Sequence, residues 1–247
     1  MNVTRVLLVG ANGRMGETVQ RVAASSDDMR ITETLEIGEP IADRIGNCDV
    51  VLDFSQPETI DSVLGACVSG GKPLVVGTTG HSTKQLQTLD EAAKKVPVLV
   101  APNFSIGVNV LFWLTRKAAE LLGGDFELEI VEAHHRLKKD APSGTAKRLA
   151  QILCEVRGLS YDEKVAYGRE GIVGERPSDQ IGMHAIRGGD IVGDHTVIFA
   201  GRGERLELTH KASSRETFAA GALRAARWIV GKSAGRYSME DVLALRH

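Results

Sequence analysis

Cysteine is scarce and scattered. The chain has 247 residues and only three cysteines, Cys48, Cys67 and Cys154. No CxxC pair and no Cys/His cluster at metal-ligand spacing occurs, so neither a disulfide framework nor a bound metal is expected, and the thiols read as small core residues. Charge of one sign is missing too. Lys plus Arg number 30 against 32 Asp plus Glu, a net charge of -2, which leaves no basic footprint for nucleic acid or an anionic membrane. Long hydrophobic runs are absent. The first apolar stretch, Val6 to Val9, stops at Gly10, too early for a signal-peptide core, and nothing approaches the roughly 18 apolar residues of a membrane span. No membrane partner is expected, and the cytoplasm is the expected location. The chain also lacks internal repeats and low-complexity tracts.

What is present is an ordinary globular composition, 43% hydrophobic and 25% charged, in a length that suits two domains. The first part repeats one pattern: a continuous apolar run, a turn rich in Gly, Ser or Pro, then helical spacing. Val6 to Val9, Val50 to Phe54, Leu74 to Val76 and Val98 to Val100 are the runs, as expected of parallel strands covered on both faces. Arg14 to Ala24, Glu58 to Ser69 and Ser82 to Lys95 are the helices between them. This predicts an α/β, Rossmann-type doubly wound parallel sheet.

The pattern changes after Asn103. A helix over Val108 to Leu122 stops at Gly123-Gly124, and Phe126, Leu128 and Ile130 then alternate with acidic residues as a half-buried strand. A helix from Ser143 to Arg157 and three β-like stretches, Ile181 to Ile186, Thr196 to Ala200 and Glu204 to His210, follow. They describe an inserted α+β domain, and Leu206, Leu208 and their alternates leave a second sheet face to be covered, a candidate subunit interface. The tail is helical again after Arg215, with a short helix over Met239 to Leu245. Residues 1–105 with 216–247 are expected to form a dinucleotide-binding domain, and 106–215 a substrate-binding and oligomerisation domain.

Gly10-Ala11-Asn12-Gly13-Arg14-Met15-Gly16 follows the first strand and opens the first helix. Such a backbone lets a pyrophosphate sit against the N–H groups of a helix start, although Ala11 stands where plain GxGxxG has glycine. Glu36, about 20 residues beyond the last glycine, stands where an acid accepts from the adenosine ribose; a solvated strand-end carboxylate is the alternative. Gly77-Thr78-Thr79-Gly80 and Ala101-Pro102-Asn103-Phe104 follow the runs Leu74 to Val76 and Val98 to Val100 and would line the nicotinamide half of the crevice.

The chemistry-bearing stretch is Glu132-Ala-His134-His135-Arg-Leu-Lys138-Lys-Asp-Ala-Pro142-Ser143-Gly144-Thr145. Two imidazoles and several cations precede a helix start whose N–H groups at Gly144 and Thr145 form a small anion hole; with Lys138 that makes a carboxylate site. Spacing alone leaves open which of His134 and His135 is an acid, and either can be structural.

EAHHRLKKDAPSGTA, together with GANGRMG, GTTG, NFSIGVNV and HKASSR, resembles the 4-hydroxy-tetrahydrodipicolinate (dihydrodipicolinate) reductase family, with the motifs in order over essentially the whole chain. The resemblance implies reduction of a cyclic dicarboxylate by NAD(P)H on the route to diaminopimelate and lysine. It implies that His134 donates a proton, that Lys138 assists, and that His135, Gly144 and Thr145 hold substrate carboxylates. Nucleotide contacts are implied from Gly10 to Met15, at Glu36, from Gly77 to Thr79 and from Ala101 to Phe104, and a homotetramer is implied as the assembly. Arg215 adds a cation near the cleft or belongs to the hinge. Many family members carry a basic residue after the acid, whereas Ile37 and Gly38 follow Glu36 here; NADH is therefore expected to be preferred, with NADPH accepted. The segment from Glu36 to Val50 is also short for the family. Competing readings are an amino-acid dehydrogenase acting on aspartate or homoserine, and a non-enzymatic nucleotide-sensing regulator.

Overall fold

The computed structural model describes residues 3–36 and 38–245; Ile37 lies outside them. The chain divides into two compact units, Met1–Ile106 with Arg215–His247, and Gly107–Ser214.

The first unit alternates strand and helix: β1 (Thr4–Val9), α1 (Arg14–Ala24), β2 (Met29–Leu35), β3 (Val50–Asp53), α2 (Ile60–Gly70), β4 (Leu74–Val76), α3 (Thr83–Ala93) and β5 (Pro97–Val100). The strands form a parallel sheet of order β2-β1-β3-β4-β5, extended beyond β5 by a short strand from the C-terminal segment. Along β1, Leu7 and Val9 pack with Ile60, Val63 and Leu64 of α2, while Val6 and Leu8 pack with Val19 and Ala23 of α1. Both faces are thus dry, which is why these strands read as unbroken apolar runs. Cys48 and Cys67 are buried free thiols in the second of these layers. The helix expected from Glu58 begins instead at Ile60, because Pro57–Thr59 forms a 3-10 turn first.

The second unit opens with α4 (Ile106–Leu122), then β6 (Glu127–His134), α5 (Gly144–Arg157), α6 (Tyr161–Lys164), β7 (Val165–Tyr167), β8 (Ile181–Arg187), β9 (Gly193–Ala200) and β10 (Arg205–Ala212). Its sheet is mixed, of order β10-β9-β6-β8-β7, with β6 antiparallel to β9 and parallel to β8. Leu128 and Ile130 of β6 and Val197 and Phe199 of β9 point to one side and pack with Val108, Leu111, Leu149 and Leu153 of α4 and α5. Leu206 and Leu208 pair with Phe199 and Val197, so they share the helix-covered face. The other face carries the alternates, among them Val131, Ile198 and Ile186, the last 51% exposed.

The chain ends with α7 (Glu216–Ile229), β11 (Gly235–Tyr237) and α8 (Met239–Leu243). Ala219, Ala222, Ala226 and Ile229 of α7 join the α1 side of the first sheet, and β11 adds its outer strand beside β5. None of the described helices is long and apolar enough to cross a membrane.

Candidate active site

Five parallel strands of the first unit finish in one row. Val9 lies beside Leu35 and Asp53, Asp53 beside Val76, and Val76 beside Val100, so the residues that follow each of them emerge along one edge. These are Gly10, Glu36, Phe54, Gly77 and Ala101. Open α/β sheets take their ligands at this edge.

The glycine loop is shaped by contacts that forbid a side chain. Gly10 has φ +80°, and a Cβ there would stand 2.5 Å from the Phe54 carbonyl oxygen; a Cβ on Gly16 would stand 2.2 Å from that of Gly10. Gly13 precedes α1, and no side chain caps that helix. The N–H groups of Arg14 and Met15 therefore begin a helix with no protein acceptor from the cap, which suits a phosphate anion. Glu36 accepts from the Asn12 N–H through Oε1 at 2.8 Å, tying the end of β2 to the glycine loop, while its own N–H donates to Glu39. These features fit a dinucleotide.

The neighbouring loops are tied through Asp53, a fully buried acid that the sequence reading did not single out. It accepts from the Ser55 N–H at 3.0 Å, from the Ser55 hydroxyl, and from the Thr78 hydroxyl at 3.0 Å. Burial raises its carboxyl above the ordinary value. Thr78 is thus turned inward, Thr79 is exposed, and a Cβ on Gly77 would collide with the Phe54 ring. Ala101 is buried and Pro102 exposed, Asn103 accepts from the Ser105 N–H at 2.9 Å, and the Phe104 ring meets Phe54 edge-on at 5.8 Å.

In the second unit, β6 ends at His134. Glu132 and His134 are two apart on a strand and face the same interior side. Nδ1 of His134 lies 2.6 Å from Oε2 of Glu132. Glu132 is fully buried and also receives two bonds from Arg187, each of 2.8 Å, and the Ser143 N–H at 3.1 Å. Burial pushes its carboxyl up, but these donors outweigh it and hold it below the usual value. His195, opposite Glu132 on β9, meets the His134 ring edge-on at 5.1 Å, and its Nε2 lies 3.0 Å from the Ser143 hydroxyl. Burial, then the neighbouring His134, pushes His195 down to about 3; burial likewise lowers His134. Nε2 of His134 faces Gly193, where a Cβ would come within 3.0 Å of it.

His135 anchors its backbone N–H on Ile191, and its Nδ1 is buried without a partner among the described residues. Lys138 is held by Asp140 at 2.9 Å, with its backbone N–H on the His135 carbonyl. Ser143 caps α5 by accepting from the Ala146 N–H at 3.2 Å, and Gly144, exposed, and Thr145 open that helix. The structure thus brings His134, His135, Lys138 and the start of α5 onto one short stretch, and adds Glu132, Arg187 and His195. Among the described residues no cluster suited to a metal ion occurs.

Residues 4–104 match the family model described as dihydrodipicolinate reductase, N-terminus, and residues 107–243 the one described as dihydrodipicolinate reductase, C-terminus. The chain belongs to the dihydrodipicolinate reductase family. A relative from Akkermansia muciniphila named 4-hydroxy-tetrahydrodipicolinate reductase is 52% identical over 97% of this chain and 98% of its own, and one from Hahella chejuensis of the same name is 45% identical over 99% and 100%. A solved dipicolinate-bound dihydrodipicolinate reductase from Paenisporosarcina sp. TG-14 superposes with a TM-score of 0.77 at 25% identity, over 96% of this chain and 97% of that one. A C. glutamicum DAP dehydrogenase in complex with DAP, at 12% identity and a TM-score of 0.57, shares the fold. As a member of the dihydrodipicolinate reductase family, the chain is an oxidoreductase with a pyridine-nucleotide-binding first unit.

Proposed function

We propose that the chain reduces 4-hydroxy-tetrahydrodipicolinate to tetrahydrodipicolinate with NADH or NADPH, on the route to diaminopimelate and lysine. In this reading the first unit holds the nucleotide through Gly10 to Met15, Glu36, Gly77 to Thr79 and Ala101 to Phe104. The second binds the substrate and carries the subunit contacts of a cytoplasmic homotetramer, through the sheet face that bears Val131, Ile186 and Ile198.

The observation that carries the reading is the His134 imidazole at the end of β6. Its Nδ1 is bound to Glu132, its Nε2 faces the side-chain-free Gly193, and a helix start and Lys138 follow it in the chain. When bound, the reduced nucleotide supplies the hydride. Once the ring hydroxyl has left as water, giving a conjugated ring, hydride adds at the carbon that bore it and His134 donates a proton to the carbon next to the new C–H bond, so that negative charge does not build up there. Lys138, His135 and the N–H groups of Gly144 and Thr145 hold the two carboxylates, the charge-assisted bonds a dianion requires. Burial makes the imidazole reluctant to hold its proton, and a dianion brought beside it opposes that effect.

The test is an assay of purified protein with freshly generated hydroxy-tetrahydrodipicolinate and NADH. Loss of reduced nucleotide with that substrate, and none of the reverse reaction with aspartate or homoserine, is the expected result. Turnover of either amino acid without the cyclic substrate overturns the reading. Sedimentation at working concentration tests the tetramer.

A further inference from the structure

The carboxylate of Glu132 has four donors on its two oxygens: His134 and Arg187 on Oε2, Arg187 and the Ser143 N–H on Oε1. Arg187 is itself pinned by carbonyl oxygens of Ile186 and Asp140 at 2.6 and 2.8 Å. The β-sheet register explains how these groups meet. His134 lies beside Arg187 on the parallel strand β8, so the guanidinium reaches back one pleat to Glu132. A buried carboxylate with no counter-charge would trap a neighbouring imidazole as imidazolium; one straddled by a guanidinium is balanced and acts mainly as an acceptor.

We infer that Glu132, clamped by Arg187, is a positioning residue for proton transfer: it keeps a proton on Nδ1 of His134, so that Nε2 is the nitrogen that gives its proton away, and Arg187 sets how readily it does so. The inference rests on the reading of His134 as the donor. When an imidazolium releases the Nε2 proton, the neutral ring left behind is the Nδ1–H tautomer, which is the one Glu132 holds. No ring rotation is needed, and Gly193 leaves the Nε2 side free of a Cβ. The charges around the ring act in both directions. Glu132 favours its protonation; Lys138 and Arg187 oppose it, with Asp140 paired to Lys138. From β9 and β10, His195 and His210 are held below their ordinary values by burial, with Asp194 acting upward on His210. Removing Glu132 and removing Arg187 must therefore move the acid in opposite directions.

The experiment uses the whole chain: pH profiles of kcat for wild type, Glu132→Gln and Arg187→Gln, with the ¹⁵N shifts of the His134 ring in histidine-labelled protein. In wild type the neutral ring is expected as the Nδ1–H tautomer. In Glu132→Gln, Arg187 claims the amide oxygen and turns the NH₂ toward the ring. The tautomer then switches to Nε2–H, kcat falls about 10–100-fold, and the apparent pKa of the acid drops. In Arg187→Gln the same pKa rises by about one unit or more. Shifts in the same direction, or a wild-type tautomer in Glu132→Gln, overturn the inference. If the single variants fail to fold, the pair Glu132→Leu with Arg187→Met buries no unpaired charge; it must lose the Nδ1–H preference, and a wild-type ring spectrum sinks the idea. His134→Gln separates the two readings. Full activity in that variant removes His134 as donor, whatever the tautomer spectra show.

Discussion

Nδ1 of His134 lies 2.6 Å from Oε2 of Glu132, two residues earlier on the same strand. His135, the adjacent imidazole, has no such carboxylate partner on its Nδ1 among the described residues. A positioned general acid contributes about 10²–10⁴-fold. His134→Gln is therefore expected to lower kcat by that amount with nucleotide affinity almost unchanged, as steady-state kinetics and nucleotide titration will show. If His135→Gln shows the loss instead, the assignment of the acid is wrong.

Lys138 is bound to Asp140, whose own side chain is 57% exposed. In the proposed carboxylate site, a substrate carboxylate is expected to draw the ammonium from that partner or share it. Lys138→Ala is expected to lower kcat and raise the substrate KM together, because it removes a positive charge beside a dianion. Asp140→Asn is expected to lower the substrate KM by about 2–5-fold, since a competing surface carboxylate is worth under about 1 kcal/mol. Unchanged kinetics in Lys138→Ala would remove it from the carboxylate site.

Much of this architecture is legible in the chain itself. The buried runs ending at Val9, Val76 and Val100 are dry on both faces, so their apolar character is unbroken, and α1 and β4 fall at the bounds the pattern gives. The stretch from His134 to Thr145 is visible because it is contiguous. What escapes is assembled by pairing between distant strands. Arg187 and His195 reach Glu132 only through the register of β8 and β9 on β6. One signal was available: Leu128, Ile130, Glu132 and His134 form a single inward series, and an acid in such a series requires a partner. Strands β7 and β11 have three residues each, too few for any period to show.

Cofactor choice turns on the end of β2. No basic residue follows Glu36 in sequence, yet Arg44 returns to the same place, donating to the Thr34 carbonyl at 2.5 Å and lying 3.9 Å from Glu39, the acceptor of the Glu36 N–H. In the proposed nucleotide site a 2′-phosphate beside Glu36 is expected to be repelled, with Arg44 expected to moderate the repulsion. NADH is expected to be favoured by about 1–2 kcal/mol, or roughly 5–30-fold in kcat/KM. Arg44→Ala is expected to widen that ratio by weakening NADPH alone, and Ile37→Arg to narrow it. Measuring kcat/KM with both nucleotides decides the matter; a wild type that strongly favours NADPH contradicts it.

His195 gives the fold a dependence on pH with a definite sign. It is 4% exposed, its Nδ1 has no partner among the described residues, and burial brings it to about 3 from an ordinary value of 6.5. The unfolded chain therefore binds a proton near pH 6.5 that the folded chain refuses until about pH 3. Stability is undiminished by this group above pH 6.5 and falls as pH drops from there toward 3, by at most about 1.4 kcal/mol per pH unit. His134 and His210, also lowered by burial, act in the same sense; Asp53, raised by burial, acts in the opposite one. Glu129 is held down to about 2: burial would raise it, but Arg169, Arg176 and His184 outweigh that, and its stabilisation is lost only as pH falls below about 4.5. As pH falls from 6.5 to 5 the histidines lower stability and Asp53 opposes them, and replacing His195 isolates its share. Urea unfolding of wild type and His195→Gln at pH 7 and pH 5 is the measurement. The wild type is expected to lose more stability over that interval than the variant, whatever the variant's absolute stability, and equal losses would show that His195 is solvated or paired in the folded chain.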